Sequence, residues 1–446
     1  MEDTIAAIST ALGVGAISII RISGPDSVNI VNKIFDKDLT KAKTHTIHYG
    51  HIISNNQIID EVLVSVMLAP KTFTKEDVIE INCHGGISTT NKVLELLLTS
   101  GARLAEPGEF TKRAFLNGRI DLTEAEGIMN LIEAKSDISR KLSINQLTGN
   151  VSNLIEDLRT DLVNIISNIE VNIDYPEYED IEVLTNEKIT PEITKLLKKM
   201  KHIINKSKDG KIINEGINIG IIGRPNVGKS SLLNAILEEN KAIVTDIEGT
   251  TRDIVEGKFI LNGIICNIID TAGIRKTDNL VEQIGVDKSY EIIEKADLII
   301  YILNNNEELT IEDKKILELV KQKKHIIVLN KIDLENKNEI SDKDIIKMSI
   351  KNKQGINELK NKIIELFNLE EISTNDPTYL TSARSIALLK KASKKIEEAQ
   401  SKIKEFPIDL IEIDLKEAWS ILGEIIGKTY KEELIDEIFS RFCLGK

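Results

Sequence analysis

The chain has 446 residues, 41% of them apolar, so its length allows roughly three domains with real hydrophobic cores. Lys and Arg number 58 against 71 Asp and Glu, and the net charge of −13 argues against a protein that coats nucleic acid non-specifically. No window approaches the ~18 consecutive apolar residues of a membrane-spanning helix, and the N-terminus lacks a signal-peptide pattern, so we expect a cytoplasmic protein without a membrane partner. Cys83, Cys266 and Cys443 lie far apart, which excludes a clustered zinc site.

The first stretch, residues 1–117, mixes short β-rich runs with helix-like segments. The expected strands are Ile17 to Ile22, Glu61 to Leu68 and Val78 to Cys83. This pattern predicts an α+β N-terminal domain.

Residues 118–215 are predicted to be helical, with two apolar stripes at helical spacing on either side of an acidic break at 174–180. Residues 372–446 return to helix after a polar joint at 373–377 and carry a third stripe. The stripes are 151, 154, 155, 158, 162, 165, 166 and 169; 193, 196, 197, 200, 203 and 204; and 389, 392, 396, 399 and 403. Neither helical portion can bury its own apolar stripes. We therefore expect the two portions to pack on each other as one helical domain.

Residues 216–371, between the helical portions, alternate apolar strands with helices, as an inserted α/β nucleotide-binding domain would. The expected strands are Ile217 to Ile222, Ile264 to Ile269, Leu298 to Leu303 and Ile326 to Leu329. Residues 223–230 fit the phosphate-loop pattern, after the first of these strands and before a helix-like stretch, Ser231 to Leu237. Backbone N–H groups of such a loop wrap phosphates; Lys229 would reach the outer phosphates and Ser230 would bind Mg²⁺.

The other segments of a guanine-nucleotide site follow in order over about a hundred residues. The Asp333 carboxylate would accept hydrogen bonds from the guanine ring N–H and amine, which adenine does not offer in that arrangement. Thr251 would be the second hydroxyl ligand of Mg²⁺, and Asp270 would be its carboxylate neighbour. The predicted GTP-binding residues are Asn226, Val227, Gly228, Lys229, Ser230, Ser231, Thr245, Asp246, Ile247, Glu248, Gly249, Thr250, Thr251, Asp270, Thr271, Ala272, Gly273, Asn330, Lys331, Asp333, Ser349, Ile350 and Lys351.

One expected residue is missing from this set. Many GTPases carry a water-orienting Gln where Ile274 follows Gly273 here, so another group must position the water. Glu282, nine residues beyond Gly273, is a candidate, although a lone Glu is more often a solvated surface carboxylate.

These segments and their flanks resemble the MnmE (TrmE) family of bacterial tRNA-modification GTPases, within the TrmE-Era-EngA-Septin-like class. The resemblance covers essentially the whole chain and rests on motifs both inside and outside the α/β domain. They are Gly-Arg-Pro-Asn-Val-Gly-Lys-Ser-Ser (223–231), Asp-Ile-Glu-Gly-Thr-Thr-Arg-Asp (246–253), Asp-Thr-Ala-Gly-Ile-Arg (270–275), Arg-Ile-Ser-Gly (21–24), Pro-Gly-Glu-Phe (107–110), Arg-Ala-Phe-Leu-Asn-Gly-Arg (113–119) and the final Cys-Leu-Gly-Lys.

The resemblance implies a homodimer joined through N-terminal domains that bind a tetrahydrofolate derivative, 5,10-methylene- or 5-formyl-tetrahydrofolate. It also implies a partner flavoprotein, MnmG (GidA), which uses FAD and NADH and forms a heterotetramer with the homodimer. Together they would install an aminomethyl or carboxymethylaminomethyl group on carbon 5 of the wobble uridine, position 34, of certain tRNAs. GTP hydrolysis would gate this reaction by opening and closing paired GTP domains.

In proteins of this family a potassium ion stands where other GTPases use an arginine finger. The matching positions are Asn226 for its side chain and the loop at Thr245, Ile247 and Thr250 for oxygen ligands. Glu282 falls on the family's water-orienting carboxylate, so the resemblance implies a catalytic role for it.

The resemblance places the folate at Arg21, Glu80, Arg119 and Lys446, with position 119 commonly Lys in relatives. Arg21 shares a strand face with Ile17 and Ile19, where it would be an unusual core residue able to bind a folate glutamate carboxylate. Glu80 alternates with apolar neighbours and so lies off the core face, where its carboxylate can bind the pterin amine and ring N–H.

Cys443 is a candidate nucleophile, but no His or Lys lies in an obvious activating position. We expect a partly buried side chain beside Phe439 and Phe442 that positions the substrate or supports the structure.

Two alternative functions are compatible with the same GTP-binding motifs. A regulatory GTPase that docks on ribosomes or RNA without modifying it would need an RNA-binding module, and we find neither an aromatic and basic recognition run nor a GXXG loop. A GTP-driven assembly protein could polymerise through the helical stripes, although such stripes are more often simple core.

Overall fold

The computed structural model describes residues 3–174, 186–239, 257–269, 291–337, 340, 345–369, 380–403, 408–430 and 432–445. The strands are β1 (Ile5–Ile8), β2 (Ile17–Ser23), β3 (Thr46–Ser54), β4 (Gln57–Met67), β5 (Val78–His84), β6 (Arg103–Leu104), β7 (Ile217–Ile222), β8 (Lys258–Leu261), β9 (Ile264–Ile269), β10 (Leu298–Asn304), β11 (His325–Asn330) and β12 (Ile345–Lys347).

The helices are α1 (Ser27–Asn32), α2 (Ile87–Thr99), α3 (Glu109–Leu116), α4 (Leu122–Glu133), α5 (Asp137–Leu147), α6 (Asn150–Asp174), α7 (Asn186–Glu215), α8 (Lys229–Glu239), α9 (Ile311–Val320), α10 (Ile356–Leu366), α11 (Ala383–Lys402), α12 (Ile408–Ile426) and α13 (Glu432–Ser440). Within the part of the chain that the structure describes, none of these helices is long and apolar enough to cross a membrane.

The chain divides into two compact units. The first comprises the described residues of 1–129, 147–176 and 407–446, and the second those of 130–146 and 177–406. The domain boundaries expected from the sequence, at 117, 215 and 371, stay a prediction.

The first unit contains a sheet of order β3-β4-β5-β2-β1-β6, in which only the β1–β6 pair is parallel among the described strands. One face carries the core, where β-branched residues of β2, β4 and β5 pack against α1 and α2. The predicted β-rich runs at residues 17, 61 and 78 are confirmed as parts of β2, β4 and β5.

The expected core position of Arg21 is wrong. The buried residues of β2 are Ser18, Ile20, Ile22 and the last residue, Ser23, whereas Ile17 on the Arg21 face is 65% exposed. Because a strand points successive side chains to opposite faces, Ile17 and Ile19 lie on the face opposite the main core. This face is open at Ile17, and near Arg21 it is covered by a small apolar cluster that includes Ala7 and Phe110. The position expected for Glu80, off the core face, is confirmed, since its neighbours Ile79 and Ile81 are fully buried.

The second unit contains a sheet of order β12-β11-β10-β7-β9-β8, whose described strands are parallel except for β8. Its faces are covered by apolar side chains of α8 and α10 on one side and α9 on the other. β10 is buried along its whole length, as a central parallel strand should be. The four predicted strands of this domain are all confirmed, and the predicted helix begins at Lys229, two residues early.

Helices that precede the α/β part in the chain pack in pairs with helices that follow it. α6 packs on α12 in the first unit, and α7 packs on α11 in the second. The stripe on α11 (Leu389, Ala392, Ile396, Ala399 and Ile403) is at most 2% exposed. The expectation that the two helical portions pack on each other is therefore confirmed, in the form of two helix pairs, whereas a single helical domain stays a prediction.

Candidate functional site

The phosphate loop lies at the carboxyl end of β7, between β9 and β10 in the sheet. Both neighbours are parallel to β7, so the loop begins where the strand order changes direction, the usual ligand position in an open α/β sheet. α8 begins at Lys229 immediately after it, and the backbone N–H groups at the helix start are available to phosphate oxygens.

The backbone of this loop has the shape that its glycines permit. Gly223 and Gly228 have φ of 150° and 105°, and Asn226 between them has φ of 63°. A Cβ on Gly223 would lie 2.4 Å from the Ile302 carbonyl oxygen, and one on Gly228 would lie 2.5 Å from the Asn330 side-chain amide nitrogen. The loop is thus pressed against β10 and against the guanine-binding segment.

Lys229 is oriented by the loop itself. Its Nζ donates to the carbonyl oxygens of Gly223 at 2.6 Å and Arg224 at 2.7 Å. Burial lowers the pKa of the ammonium from its ordinary value. A half-buried ammonium with two neutral acceptors is well placed to bind a phosphate anion.

Asn330 connects the phosphate loop to the last base-contacting segment. Its side-chain amide nitrogen donates to the Val227 carbonyl oxygen at 2.8 Å, and its amide oxygen accepts from the Ile350 backbone N–H at 3.2 Å. Asn330 is only 4% exposed, so both hydrogen bonds lie in the interior. The predicted residues Val227, Asn330 and Ile350 are therefore brought together.

Asp333 is exposed and held by Ser349, whose hydroxyl donates to Oδ1 over 2.7 Å. This hydrogen bond, with smaller contributions from the Lys351 and Lys331 charges, lowers the pKa of the Asp333 carboxyl from its ordinary value. The carboxylate is ionised at neutral pH and its second oxygen can accept from a guanine edge. Lys331 has φ of 66°, which turns the chain between Asn330 and Asp333.

Of the remaining predicted residues of this site, some lie in the described part of the chain and others do not. Asn226, Ser230 and Ser231 are exposed on the loop and the first turn of α8. Outside the described residues lie Thr245, Asp246, Ile247, Glu248, Gly249, Thr250, Thr251, Asp270, Thr271, Ala272, Gly273 and Glu282.

A second cluster lies on the open face of the first unit's sheet, where β2 and β5 pair. Arg21 and Glu80 are direct cross-strand partners, and Arg21 donates from Nε to Glu80 Oε1 at 2.9 Å and approaches the same oxygen with Nη2 at 2.8 Å. Their side chains are 17% and 23% exposed. A half-buried pair of this kind presents both an acidic and a basic edge to a ligand.

Phe73 joins the third predicted folate residue to this pair. The Arg119 guanidinium carbon lies 4.9 Å and that of Arg21 5.7 Å from the Phe73 ring centre, and Arg119 Nη1 donates to the Phe73 carbonyl oxygen at 3.1 Å. Sequence reasoning missed Phe73, because nothing in its local pattern distinguishes it from a core aromatic.

The C-terminal segment reaches the same cluster. The Gly445 carbonyl oxygen accepts from Arg21 Nη1 at 3.3 Å and from the Ser9 hydroxyl at 3.0 Å. Lys446 itself lies outside the described residues. The structure thus brings Arg21, Glu80 and Arg119 together beside the chain terminus.

The expected partial burial of Cys443 is wrong, because Cys443 is exposed. Phe439 and Phe442 are buried and pack on each other with ring centres 5.1 Å apart. Phe439 in the last turn of α13 and Phe442 just after the helix both point inward, and the Cys443 carbonyl oxygen accepts from the Gly108 N–H at 3.3 Å. The residue is anchored through its backbone, which leaves its thiol at the surface.

Two family models and many full-length relatives match this chain. Residues 122–443 match the model of the MnmE helical domain, and residues 4–119 match that of the GTP-binding protein TrmE N-terminus. The tRNA modification GTPase MnmE of Bacillus cytotoxicus is 52% identical over 455 residues, covering 100% of this chain and 99% of that protein.

The MnmE protein of Enterococcus faecalis is 50% identical over 457 residues, covering 100% of this chain and 98% of the relative. Among solved structures, the FeoB G-domain from Methanococcus jannaschii is 27% identical and covers 34% of this chain and 98% of its own, with a TM-score of 0.24. The family models and the full-length relatives show that the chain belongs to the MnmE family of tRNA modification GTPases.

Proposed function

We propose that this GTPase is activated by potassium and uses a tetrahydrofolate one-carbon unit to modify carbon 5 of the wobble uridine of certain tRNAs. It acts as a homodimer, together with an FAD- and NADH-dependent partner of the MnmG kind, and the product is an aminomethyl or carboxymethylaminomethyl group. The observation that carries the folate part is the Arg21–Glu80 pair beside Phe73 and Arg119.

The phosphate and guanine contacts support the GTP part of the proposal. Lys229 binds the outer phosphates while the Gly223 and Arg224 carbonyl groups orient it. Ser230, in the first turn of α8, supplies one Mg²⁺ ligand, and Thr251 supplies the second. The metal would neutralise charge that develops on the phosphate oxygens.

The potassium part of the proposal rests on Asn226. Its side chain is exposed on a left-handed turn of the phosphate loop, where an amide oxygen can bind a cation next to the phosphates. Oxygen ligands from Thr245, Ile247 and Thr250 complete that site, and Glu282 orients the attacking water.

The Arg21–Glu80 pair fits a pterin ring. Glu80 accepts from the ring N–H and exocyclic amine, and Arg21 donates to the adjacent ring oxygen; such charge-assisted hydrogen bonds are the strong ones. Because Arg21 and Glu80 contact each other, both bind the same end of the folate. The Arg119 guanidinium, which also lies against the Phe73 ring, would then be the cation for the folate glutamate, in place of the role expected for Arg21 from the sequence.

When bound, the folate supplies the carbon that is transferred to the uridine. The chain's own residues bind and orient it, and the Gly445 carbonyl group fixes the Arg21 guanidinium from the side of the C-terminus. Lys446, the next residue, adds a positive charge for the folate, and the exposed Cys443 positions the substrate. GTP hydrolysis gates access to this reaction.

Folate binding by the purified chain tests the proposal directly. We expect 5-formyl-tetrahydrofolate to bind the wild-type protein, and Arg21→Ala or Glu80→Gln to weaken it by roughly 10- to 100-fold, as loss of a charged hydrogen bond does. Lys92→Ala is the matched control, because it removes an exposed 2.8 Å ion pair of the same unit. Equal affinity in Arg21→Ala, Glu80→Gln and the wild type would refute the folate assignment.

A further inference from the structure

We propose that Arg224 is a positioning residue for GTP binding. Its side chain ties the phosphate loop to the β10–α9 connection and thereby holds the carbonyl group that orients Lys229. The inference rests on the GTP site alone and is independent of the folate and potassium proposals.

The backbone of Arg224 contacts the phosphate-binding lysine directly. Its carbonyl oxygen accepts from Lys229 Nζ at 2.7 Å, next to that of Gly223 at 2.6 Å. A rotation of the peptide after Arg224 would remove one of these two acceptors. Whatever fixes the conformation of Arg224 therefore fixes the direction of the Lys229 ammonium.

The side chain of Arg224 is fixed by two carboxylates, that of Glu307 in the β10–α9 connection and that of Asp313 in the first turn of α9. Nη2 lies 3.1 Å from Glu307 Oε2, and Nε lies 3.2 Å from Asp313 Oδ2. The Nε–H is not aligned for a hydrogen bond, so the contact with Asp313 is a close ion pair. The Arg224 side chain is 25% exposed, and Asp313 is fully buried.

Asp313 is a rigid anchor, because neutral donors hold it in place. Tyr301 donates its hydroxyl to Oδ1 at 2.7 Å, while the Thr310 backbone N–H and hydroxyl donate to Oδ2 at 2.9 and 2.7 Å. Burial and the hydrogen bond to Asp313 raise the pKa of Tyr301, which stays a neutral donor. Arg224 brings the positive charge that a buried carboxylate requires.

The same connection also reaches the guanine-binding segment. The Asn305 backbone N–H donates to the Asn330 carbonyl oxygen at 2.8 Å, and Glu307 accepts from the Asn304 side-chain amide at 2.5 Å. Glu307 therefore contacts both Arg224 and the end of β10. Arg224 is thereby held against the end of β10, and this contact fixes the carbonyl group that orients Lys229.

The experiment measures release of a fluorescent GDP from the full-length protein, with KM and kcat for GTP. We expect Arg224→Ala to speed GDP release and to raise KM for GTP, each by at least tenfold. Arg224→Lys should give values between those of the wild type and Arg224→Ala, because one ammonium cannot contact both carboxylates. Arg140→Ala is the matched control; it removes an exposed 2.7 Å ion pair in the same unit and should change neither value. Glu307→Gln, which leaves Asp313 paired, should speed release about threefold and serves as the test if Arg224→Ala does not fold.

A double-mutant cycle with Lys229→Ala separates positioning from simple stabilisation. If Arg224 acts through Lys229, Arg224→Ala should change GDP affinity by less than about twofold in the Lys229→Ala background, because the interacting partner is already gone. Wild-type release from folded Arg224→Ala or Glu307→Gln would overturn the proposal. So would an equal effect of Arg224→Ala in both backgrounds.

Discussion

The Ser349 hydroxyl donates a 2.7 Å hydrogen bond to the carboxylate of Asp333, and Ser349 is itself 1% exposed. A buried donor thus orients an exposed acceptor. This relationship connects the last loop of the site to the residue that we propose selects guanine.

Replacing Asp333 by Asn should change base selection. The Asn side chain offers a donor where the guanine N–H and amine need an acceptor, so we expect KM for GTP to rise by roughly 100-fold. Xanthosine triphosphate, which carries an oxygen in place of that amine, should bind the variant better than GTP. Hydrolysis assays with both nucleotides measure this preference. Ser349→Ala should raise KM for GTP only a few-fold. An unchanged preference for GTP would remove Asp333 from base recognition.

Replacing Gly228 by Ala should damage both halves of the nucleotide site. The new Cβ would lie 2.5 Å from the Asn330 amide nitrogen, in a backbone with φ of 105°. Strain of about 1–3 kcal/mol is expected for such a conformation, so the Kd for GDP should rise by roughly 5- to 150-fold. Gly13→Ala is the control, because nothing lies within 4 Å of its added Cβ. Equal Kd values for both variants would contradict the observed packing.

Potassium should accelerate GTP hydrolysis much more than sodium does. We expect Asn226→Ala to lower the potassium rate to the sodium rate while GDP affinity stays within a few-fold. Steady-state hydrolysis in the two chloride salts at equal ionic strength gives the comparison. If the wild-type rates are equal in both salts, Asn226 has no cation to bind.

Glu282→Ala should leave GTP binding intact and depress turnover, because water orientation matters only in the hydrolysis step. Loss of one positioned acid–base group typically costs about 10²–10⁴ in rate. Single-turnover hydrolysis and equilibrium binding separate the two quantities. A fully active variant would make Glu282 an ordinary surface carboxylate.

The imidazole of His84 should titrate above its ordinary value of 6.5, because Nδ1 lies 2.6 Å from Asp60 Oδ1 and that hydrogen bond raises its pKa. The pair therefore stabilises the fold most fully below pH 6.5 and loses this contribution as pH rises through the raised pKa. Histidine NMR titration measures the shift. Asp60→Asn should return His84 to its ordinary range, and the same raised value in that variant would assign the shift to another group.

Much of the nucleotide site could be predicted from the sequence, because its motifs are local in the chain. The phosphate loop and the strands at 217, 264, 298 and 326 follow from composition within a few residues. The Arg224–Asp313 contact could not be predicted in this way, since it joins residues 89 positions apart through the packing of α9 beside β10.

The first unit shows more clearly what could not be predicted from the sequence. Arg21 was expected on the core face because Ile17 and Ile19 are apolar, yet the sheet buries the opposite face. Its pairing with Glu80 depends on strand register, which no single strand specifies. Arg113, which is fully buried among Asp3, Glu76 and Glu109, was not anticipated either, because isolated arginines are rarely buried unless several carboxylates converge on them.

We propose that GTP hydrolysis and the Arg21–Glu80 cluster act together when this protein modifies the wobble uridine of tRNA. Nucleoside mass spectrometry of tRNA from cells lacking the gene tests it most directly, with restoration by the wild type, Lys229→Ala or Arg21→Ala. We expect loss of the carbon-5-modified uridine on deletion, recovery with the wild type, and no recovery with either variant. A nucleoside profile unchanged by deletion would contradict it.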